Sequence, residues 1–116
     1  MGATNVHVLG KDLGKPDACQ ETIEETVAHF GRLNILISNA GAGRIGKTIR
    51  EATVEDYDLT FDINVKASYF LTKYALPHLE KTKGCIVYNS SAAGKLNALL
   101  NCYYSCIDTL LCRHQG

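Results

Sequence analysis

Short apolar runs alternate along the chain with longer segments in which apolar residues recur every three or four positions. The short runs cover residues 5–10, 33–37 and 84–90, are rich in Val, Ile and Leu, and have glycine or small polar residues at their ends. This pattern predicts three β-strands. Residues 33–37 are largely apolar, so we expect that strand to be covered on both faces within a parallel sheet.

The first helix is predicted after Pro16. Asp17 is the expected N-cap, with Gln20 three positions later as the second half of a capping box, and Gly31 is expected to end the helix. Between them runs one apolar stripe, formed by Cys19, Ile23, Val27 and Phe30.

Two more helices are predicted before the last strand. Thr53 and Asp56 form a second capping box. Residues 64–80 are apolar nearly all round, so we expect a helix that is buried on two sides, with a subunit contact as one of them. Pro77 should kink or shorten this helix.

The order strand, helix, strand, helix, strand predicts an α/β fold with a doubly wound parallel sheet. The length of 116 residues allows a single domain over residues 1–116. A formal net charge of zero gives no basic surface for nucleic acid or anionic membranes, so neither is an expected partner.

Five cysteines without CxxC spacing predict neither a disulfide framework nor a zinc site, and no metal site is expected. They are interpreted as reduced, mostly buried thiols of a cytoplasmic protein. The sequence contains no run of about 18 apolar residues and no signal-peptide core.

Several polar residues follow the predicted strands and allow two interpretations. Ser38-Asn39-Ala40-Gly41 comes directly after the second strand, at the sheet edge where open α/β proteins bind ligands, but alone it is also typical of a turn. Asn64 alone fits a helix cap, Ser91 a strand end, and Tyr104 a core aromatic residue.

Five matches in chain order give these fragments a common meaning, because together they resemble the short-chain dehydrogenase/reductase family. The matches are Asp12, residues 38–41, residues 61–65 (Phe-Asp-Ile-Asn-Val), residues 84–91 (Gly-Cys-Ile-Val-Tyr-Asn-Ser-Ser) and Tyr104. Tyr104 follows Ser91 by 13 positions, which is the family's spacing. The resemblance implies a partial Rossmann-like sheet with three strands of the family sheet.

The resemblance also implies a function, namely NAD(P)-dependent oxidation of an alcohol or reduction of a carbonyl compound. Tyr104 would donate the proton to the carbonyl oxygen, Ser91 would hold that oxygen, and Asn64 would hold a water molecule of the proton relay. The residues implied in binding NAD or NADP are Asp12, Leu13, Asn39, Ala40, Gly41 and Tyr104.

Two departures from the family pattern predict that the chain is inactive as it stands. The family has a lysine four residues after the tyrosine, whereas this chain has Asp108, whose negative charge should raise the pKa of Tyr104 rather than lower it. The sequence also contains no Gly-x-x-x-Gly-x-Gly loop before Val6 to hold a pyrophosphate.

The family sheet places two further strands between the first and second strands predicted here, so these two would stand about 14 Å apart. Only the second and third predicted strands are expected to be neighbours. We therefore expect a truncated dinucleotide-binding domain of marginal stability, with unpaired strand edges. Two other functions stay open. The chain could be a non-catalytic protein that docks on a full-length family member through residues 64–80, or a fragment without function.

Overall fold

The computed structural model describes residues 5–43 and 48–90 and has an α/β architecture. The elements in chain order are α1 (Pro16–Phe30), β1 (Ile35–Ser38), α2 (Val54–Phe61), a π-helical segment (Asp62–Lys66), α3 (Ala67–Thr82) and β2 (Cys85–Tyr88). The predicted fold class is confirmed.

Within residues 5–43 and 48–90 the sheet consists of two parallel strands. Ile35 lies opposite Cys85, and Ser38 lies opposite Tyr88. Because the strands are parallel, both carboxyl ends lie at one edge of the sheet, and the chain crosses between them through α2 and α3. The prediction that these two strands are neighbours is confirmed.

The predicted strand at residues 5–10 does not form, so the sheet has two strands among the described residues rather than three. Val8 is 85% exposed, and no described strand lies beside this segment to accept its backbone hydrogen bonds. Lys11, which directly follows this segment, is bonded to α1 instead. Lys11 donates hydrogen bonds of 2.7 Å to Glu21 and to Glu25, and these bonds raise the pKa of Lys11.

Helix α1 begins two positions earlier than the capping signal indicated. Lys15 is the N-cap and makes no side-chain cap, and Pro16 is the first helical residue, so the assignment of Asp17 as N-cap was wrong. Proline suits the first helical position because it has no N–H to leave unpaired and its φ is already helical. The predicted end is confirmed, since Gly31 has a φ of 75° and donates its N–H to the carbonyl of Val27.

Helix α2 begins with the predicted capping box. The Thr53 hydroxyl accepts a hydrogen bond from the Asp56 N–H at 3.2 Å, and the Asp56 carboxylate accepts one from the Thr53 N–H at 3.2 Å. Helix α3 continues through Pro77 to Thr82, so the proline does not shorten it.

The core lies between α1, α3 and one face of the sheet. Its buried members are Cys19 and Ile23 of α1 and Ala67, Leu71, Ala75 and Leu79 of α3. The other face of the sheet is open, since Ile35 is 55% and Ile37 is 65% exposed. The prediction that β1 is covered on both faces was wrong, because both packed helices lie on the same side.

Helix α3 buries one face against the rest of the chain, whereas Tyr69 is 67% and Leu76 is 47% exposed. The expected subunit contact on the second face stays a prediction. One further burial prediction needs correction. Of the two described cysteines, Cys19 is buried and Cys85 is exposed, so the interpretation of mostly buried thiols does not extend to Cys85.

Candidate functional site

The candidate site lies at the edge where both strands end. The N–H of Asn89 donates to the carbonyl of Ser38 at 3.0 Å and continues the ladder one step beyond β2. The side-chain amide of Asn89 then donates to Oδ1 of Asn39 at 2.6 Å. The polar residues that follow the two strands are therefore joined at this edge.

Asn64 links this edge to the helical layer. Its Nδ2 donates to the carbonyl of Ala42 at 2.5 Å and to the carbonyl of Thr60 at 2.7 Å. A Cβ atom added to Gly41 would lie 3.1 Å from Oδ1 of Asn64, so glycine lets the backbone after β1 approach this side chain closely.

Asn64 lies within the π-helical segment Asp62–Lys66, and its NH2 group has two hydrogens, one for each carbonyl. A π turn closes its backbone hydrogen bonds over one more residue than an α turn does, which changes the pairing of the carbonyls at its start. The side chain of Asn64 supplies a donor to one of them, that of Thr60. Thr60 is fully buried, and its hydroxyl donates to the carbonyl of Asp56 at 2.7 Å.

The loop that carries Asp12 and Leu13 packs against the same π-helical segment. A Cβ on Gly14 would lie 3.3 Å from Cδ1 of Ile63, and the Gly14 N–H donates to the Asp12 carboxylate at 3.1 Å. The structure thus places the first loop, the end of β1 and Asn64 around one segment. Asp12, Asn39, Ala40 and Gly41 are exposed there and accessible to a ligand.

Cys19 lies beneath this loop and has a structural role. Its thiol donates to the carbonyl of Leu13 at 3.2 Å. Burial raises the pKa of Cys19, and the negative charge of Asp12 raises it further. The thiol therefore stays protonated and holds the loop against α1 rather than acting as a nucleophile.

Ser91, Tyr104 and Asp108 lie outside the described residues, so their predicted roles stay predictions. Within residues 5–43 and 48–90 no group of three or more His, Cys, Asp or Glu side chains could hold a metal ion. No helix in that part of the chain is long and apolar enough to cross a membrane.

Two hydroxyl groups of α3, those of Ser68 and Thr72, were missed by the sequence interpretation, as was their pairing with Ser38 and Tyr88. Ser38 is paired with Ser68 at 2.8 Å between hydroxyl oxygens, and Tyr88 is paired with Thr72 at 2.6 Å. A signal was present, because residues 64, 68 and 72 are all polar and recur at a spacing of four. That spacing places them on one face of a helix.

Comparison with known proteins agrees with this geometry. The sequence model of the short chain dehydrogenase family matches residues 2–107. The chain is 40% identical over 106 residues to an uncharacterized oxidoreductase of Thermotoga maritima, covering 90% of this chain and 41% of that protein. It is 34% identical over 105 residues to 11-beta-hydroxysteroid dehydrogenase 1A of Arabidopsis thaliana, covering 90% of this chain and 30% of that protein.

Solved structures give the same result. The structure of ElxO with NADP bound superimposes with a TM-score of 0.76 and 30% identity, covering 86% of this chain and 41% of that chain. The KRED1-Pglu enzyme gives a TM-score of 0.79 and 27% identity, covering 86% of this chain and 42% of that chain. The chain spans less than half the length of each of these proteins. With 106 of its 116 residues matched in order, the chain belongs to the short-chain dehydrogenase family.

Proposed function

We propose that the edge formed by Asp12, residues 39–41 and Asn64 is the nicotinamide-cofactor side of an NAD(P)-dependent oxidoreductase site for an alcohol or carbonyl substrate. The observation that carries this proposal is the position of Asn64. Its amide is fixed by two backbone carbonyls, next to a glycine whose missing Cβ keeps the backbone close. That is an organised polar group at the ligand-binding edge of a parallel sheet.

The residues at this edge fit part of a dinucleotide. Asp12 and Leu13 would contact the adenine end, while Asn39, Ala40 and Gly41 offer an exposed strip of backbone and one amide side chain along the rest of the cleft. The cofactor, NAD or NADP, would supply or accept the hydride. Holding the substrate carbonyl is assigned to Ser91, and proton transfer to Tyr104.

Asn64 is assigned the positioning of water at the proton relay. Its Nδ2 is occupied by Ala42 and Thr60, whereas its Oδ1 faces Gly41. A carbonyl oxygen in that position can accept a hydrogen bond from water. The side chain is half-buried, so its orientation is set by the two backbone bonds rather than by solvent.

We further propose that the chain on its own is not a catalyst. The family's lysine position holds Asp108, and an anion beside Tyr104 disfavours the phenolate that proton transfer requires. The 116 residues also include no glycine-rich loop at which a helix N-terminus could bind a pyrophosphate. We place the protein in the cytoplasm because its five cysteines without CxxC spacing are interpreted as reduced thiols. We expect no nucleic-acid partner, because the formal net charge is zero.

Titration of the purified chain with NADH and with NADPH tests this proposal. We expect no saturable increase in nicotinamide fluorescence at cofactor concentrations up to about 1 mM, because the pyrophosphate is left in water. The Asp108→Lys variant should also show no turnover of a ketone, since it restores the cation without the phosphate loop. The full-length Thermotoga maritima oxidoreductase serves as a positive control. Saturable binding by the chain would overturn the expectation that it does not hold the cofactor, and turnover of a ketone would overturn the assignment of an inactive protein.

A second candidate function is docking on a full-length family member through residues 64–80. The exposed side of α3 favours it, because Tyr69 and Leu76 present large apolar surfaces to solvent. Homo-oligomers through the same helix are the alternative arrangement. The test is co-purification of the tagged chain with a full-length relative, compared with a Leu76→Lys variant. Retention by the unsubstituted chain but not by the variant supports docking, whereas equal retention or no retention rejects it.

A further inference from the structure

Two hydroxyl pairs join the ends of both strands to α3. Ser38 and Tyr88 lie opposite each other in the sheet and contact Ser68 and Thr72, respectively. Ser68 and Thr72 are four positions apart, so they follow each other on one face of α3. We call the two pairs, Ser38 with Ser68 and Tyr88 with Thr72, the hydroxyl ties.

The first tie also leads to Asn64. The Ser68 hydroxyl donates to the backbone carbonyl of Asn64 at 3.3 Å. In the 2.8 Å pair with Ser38 either hydroxyl can be the donor. The buried Ser38 hydroxyl is thereby connected to the backbone of the residue whose side chain organises the candidate site.

The strands are short enough to need such support. Each has four residues, and the two strands form a single ladder that ends at the hydrogen bond from Asn89 to Ser38. Ladder ends open more readily than ladder centres because fewer contacts hold them. Beyond this last bond lie Asn39 and Asn89, which face each other through their side chains.

We propose that the hydroxyl ties are positioning devices of the candidate cofactor edge: they fix where both strands end relative to Asn64. The inference rests on the proposed function of that edge. Tyr88 and Thr72 are thus positioning residues, which act on a bound cofactor only through the backbone of Asn89 and its contact with Asn39.

Amide hydrogen exchange of the isotope-labelled chain tests the second tie. Tyr88→Phe and Thr72→Val each remove one hydroxyl and keep the shape of the side chain. We expect the Asn89 amide to exchange about fivefold faster in each variant, because its bond to Ser38 loses support. The Cys85 amide, bonded to Asn34 at the opposite end of the ladder, should change by less than about twofold.

Two further variants separate positioning from general stability. Thr72→Ser keeps a hydroxyl and should restore slow exchange at Asn89. Tyr57→Phe removes an exposed hydroxyl that makes no hydrogen bond in the described part of the chain, and should leave both amides unchanged. The double variant Tyr88→Phe with Thr72→Val should exchange no faster than either single variant, because both remove the same bond.

Equal acceleration of the Asn89 and Cys85 amides would overturn the proposal, because the ties would then only stabilise the whole fold. Exchange in Thr72→Ser as fast as in Thr72→Val would overturn it as well. The measurement needs no cofactor. If the residues around Asn64 do not form a cofactor edge at all, the proposed function fails, while the exchange rates still decide whether the ties fix the strand ends.

Discussion

Replacing Gly84 by alanine is expected to lower the free energy of unfolding by about 3 kcal/mol, the largest effect of any single methyl group in the described chain. A Cβ at this position would clash with the carbonyl oxygen of Asn34. It would also lie 2.8 Å from Cδ2 of the buried Leu79. The backbone atom cannot move aside as the end of a flexible side chain could.

The clash lies where the chain passes from α3 into β2 and where β2 begins to pair with β1. The Gly84 N–H donates to the carbonyl of Leu79 at 2.8 Å, and the Cys85 N–H donates to the carbonyl of Asn34 at 3.0 Å. Displacing Asn34 therefore breaks the first hydrogen bond between β1 and β2. The described part of the sheet contains only these two strands. In a larger sheet, hydrogen bonds to further strands would limit the loss of stability. Here no further described strand pairs with β1 or β2.

Urea denaturation followed by circular dichroism measures this effect. Gly10→Ala is the matched control, because a Cβ there would meet no atom within 4 Å, and its free energy of unfolding should change by less than about 0.5 kcal/mol. If Gly84→Ala loses its cooperative unfolding transition while Gly10→Ala keeps it, the variant is too unstable to fold, which also agrees with the prediction. Equal stability of Gly84→Ala and Gly10→Ala would show that the strand entry is looser than the structure indicates.

Most features set by neighbours in sequence could be predicted from the chain, although the N-cap of α1 was assigned wrongly. The capping box of Thr53 and Asp56 and the glycine end at Gly31 depend on bonds within one helical turn, and both are confirmed. The pairing of β1 with β2 was also predictable, because a parallel crossover through a helix permits few arrangements. Residues close in sequence, or joined by one crossover, carry enough information by themselves.

Features set by distant partners could not be predicted. Residues 5–10 have the composition of a strand, but a strand needs a ladder partner, and composition does not say whether one is present. For the same reason an apolar run such as that of β1 cannot show which of its faces is covered. Ile35 and Ile37 are exposed because α1 and α3 share one side of the sheet.

The sequence singled out Asn64 and residues 39–41 as candidates, but it did not predict the bonds that they make. Asn64 was identified through a family motif, yet the π-helical segment that aims it, and its carbonyl partners at Ala42 and Thr60, have no signature in the sequence. A π turn is rare and occurs mostly as a single turn within an α-helix, frequently at a functional site. The motif therefore located the residue, and the structure shows what holds it.

The role of Asn64 can be tested with the nearly isosteric substitution Asn64→Asp. The variant places a carboxyl oxygen where Nδ2 now donates to two carbonyl oxygens at 2.5 and 2.7 Å. Three oxygens without a hydrogen between them repel one another, and a half-buried carboxylate is also poorly solvated. We expect the variant to lose about 2 kcal/mol of unfolding free energy at pH 7.

The loss should depend on pH in a defined direction. An unfolded aspartate has a pKa of about 3.9, and in the folded variant the neighbouring carbonyls raise the pKa above that value because only the protonated acid can donate to them. The destabilisation is therefore complete above the raised folded pKa and is relieved as the pH falls toward about 4. Urea denaturation of both proteins at several pH values between about 4 and 7 measures the difference directly.

Asn34→Asp supplies the control, because this asparagine is exposed and its side chain makes no hydrogen bond within residues 5–43 and 48–90. The difference in unfolding free energy between Asn34→Asp and the unsubstituted chain should stay constant between pH 4 and 7. This control measures the general effect of adding one negative charge. A loss in Asn64→Asp that does not shrink at low pH would mean that the amide is not the donor to Ala42 and Thr60. In that case the orientation of the Asn64 amide would be unsupported, and the water-binding role assigned to its Oδ1 would be lost with it.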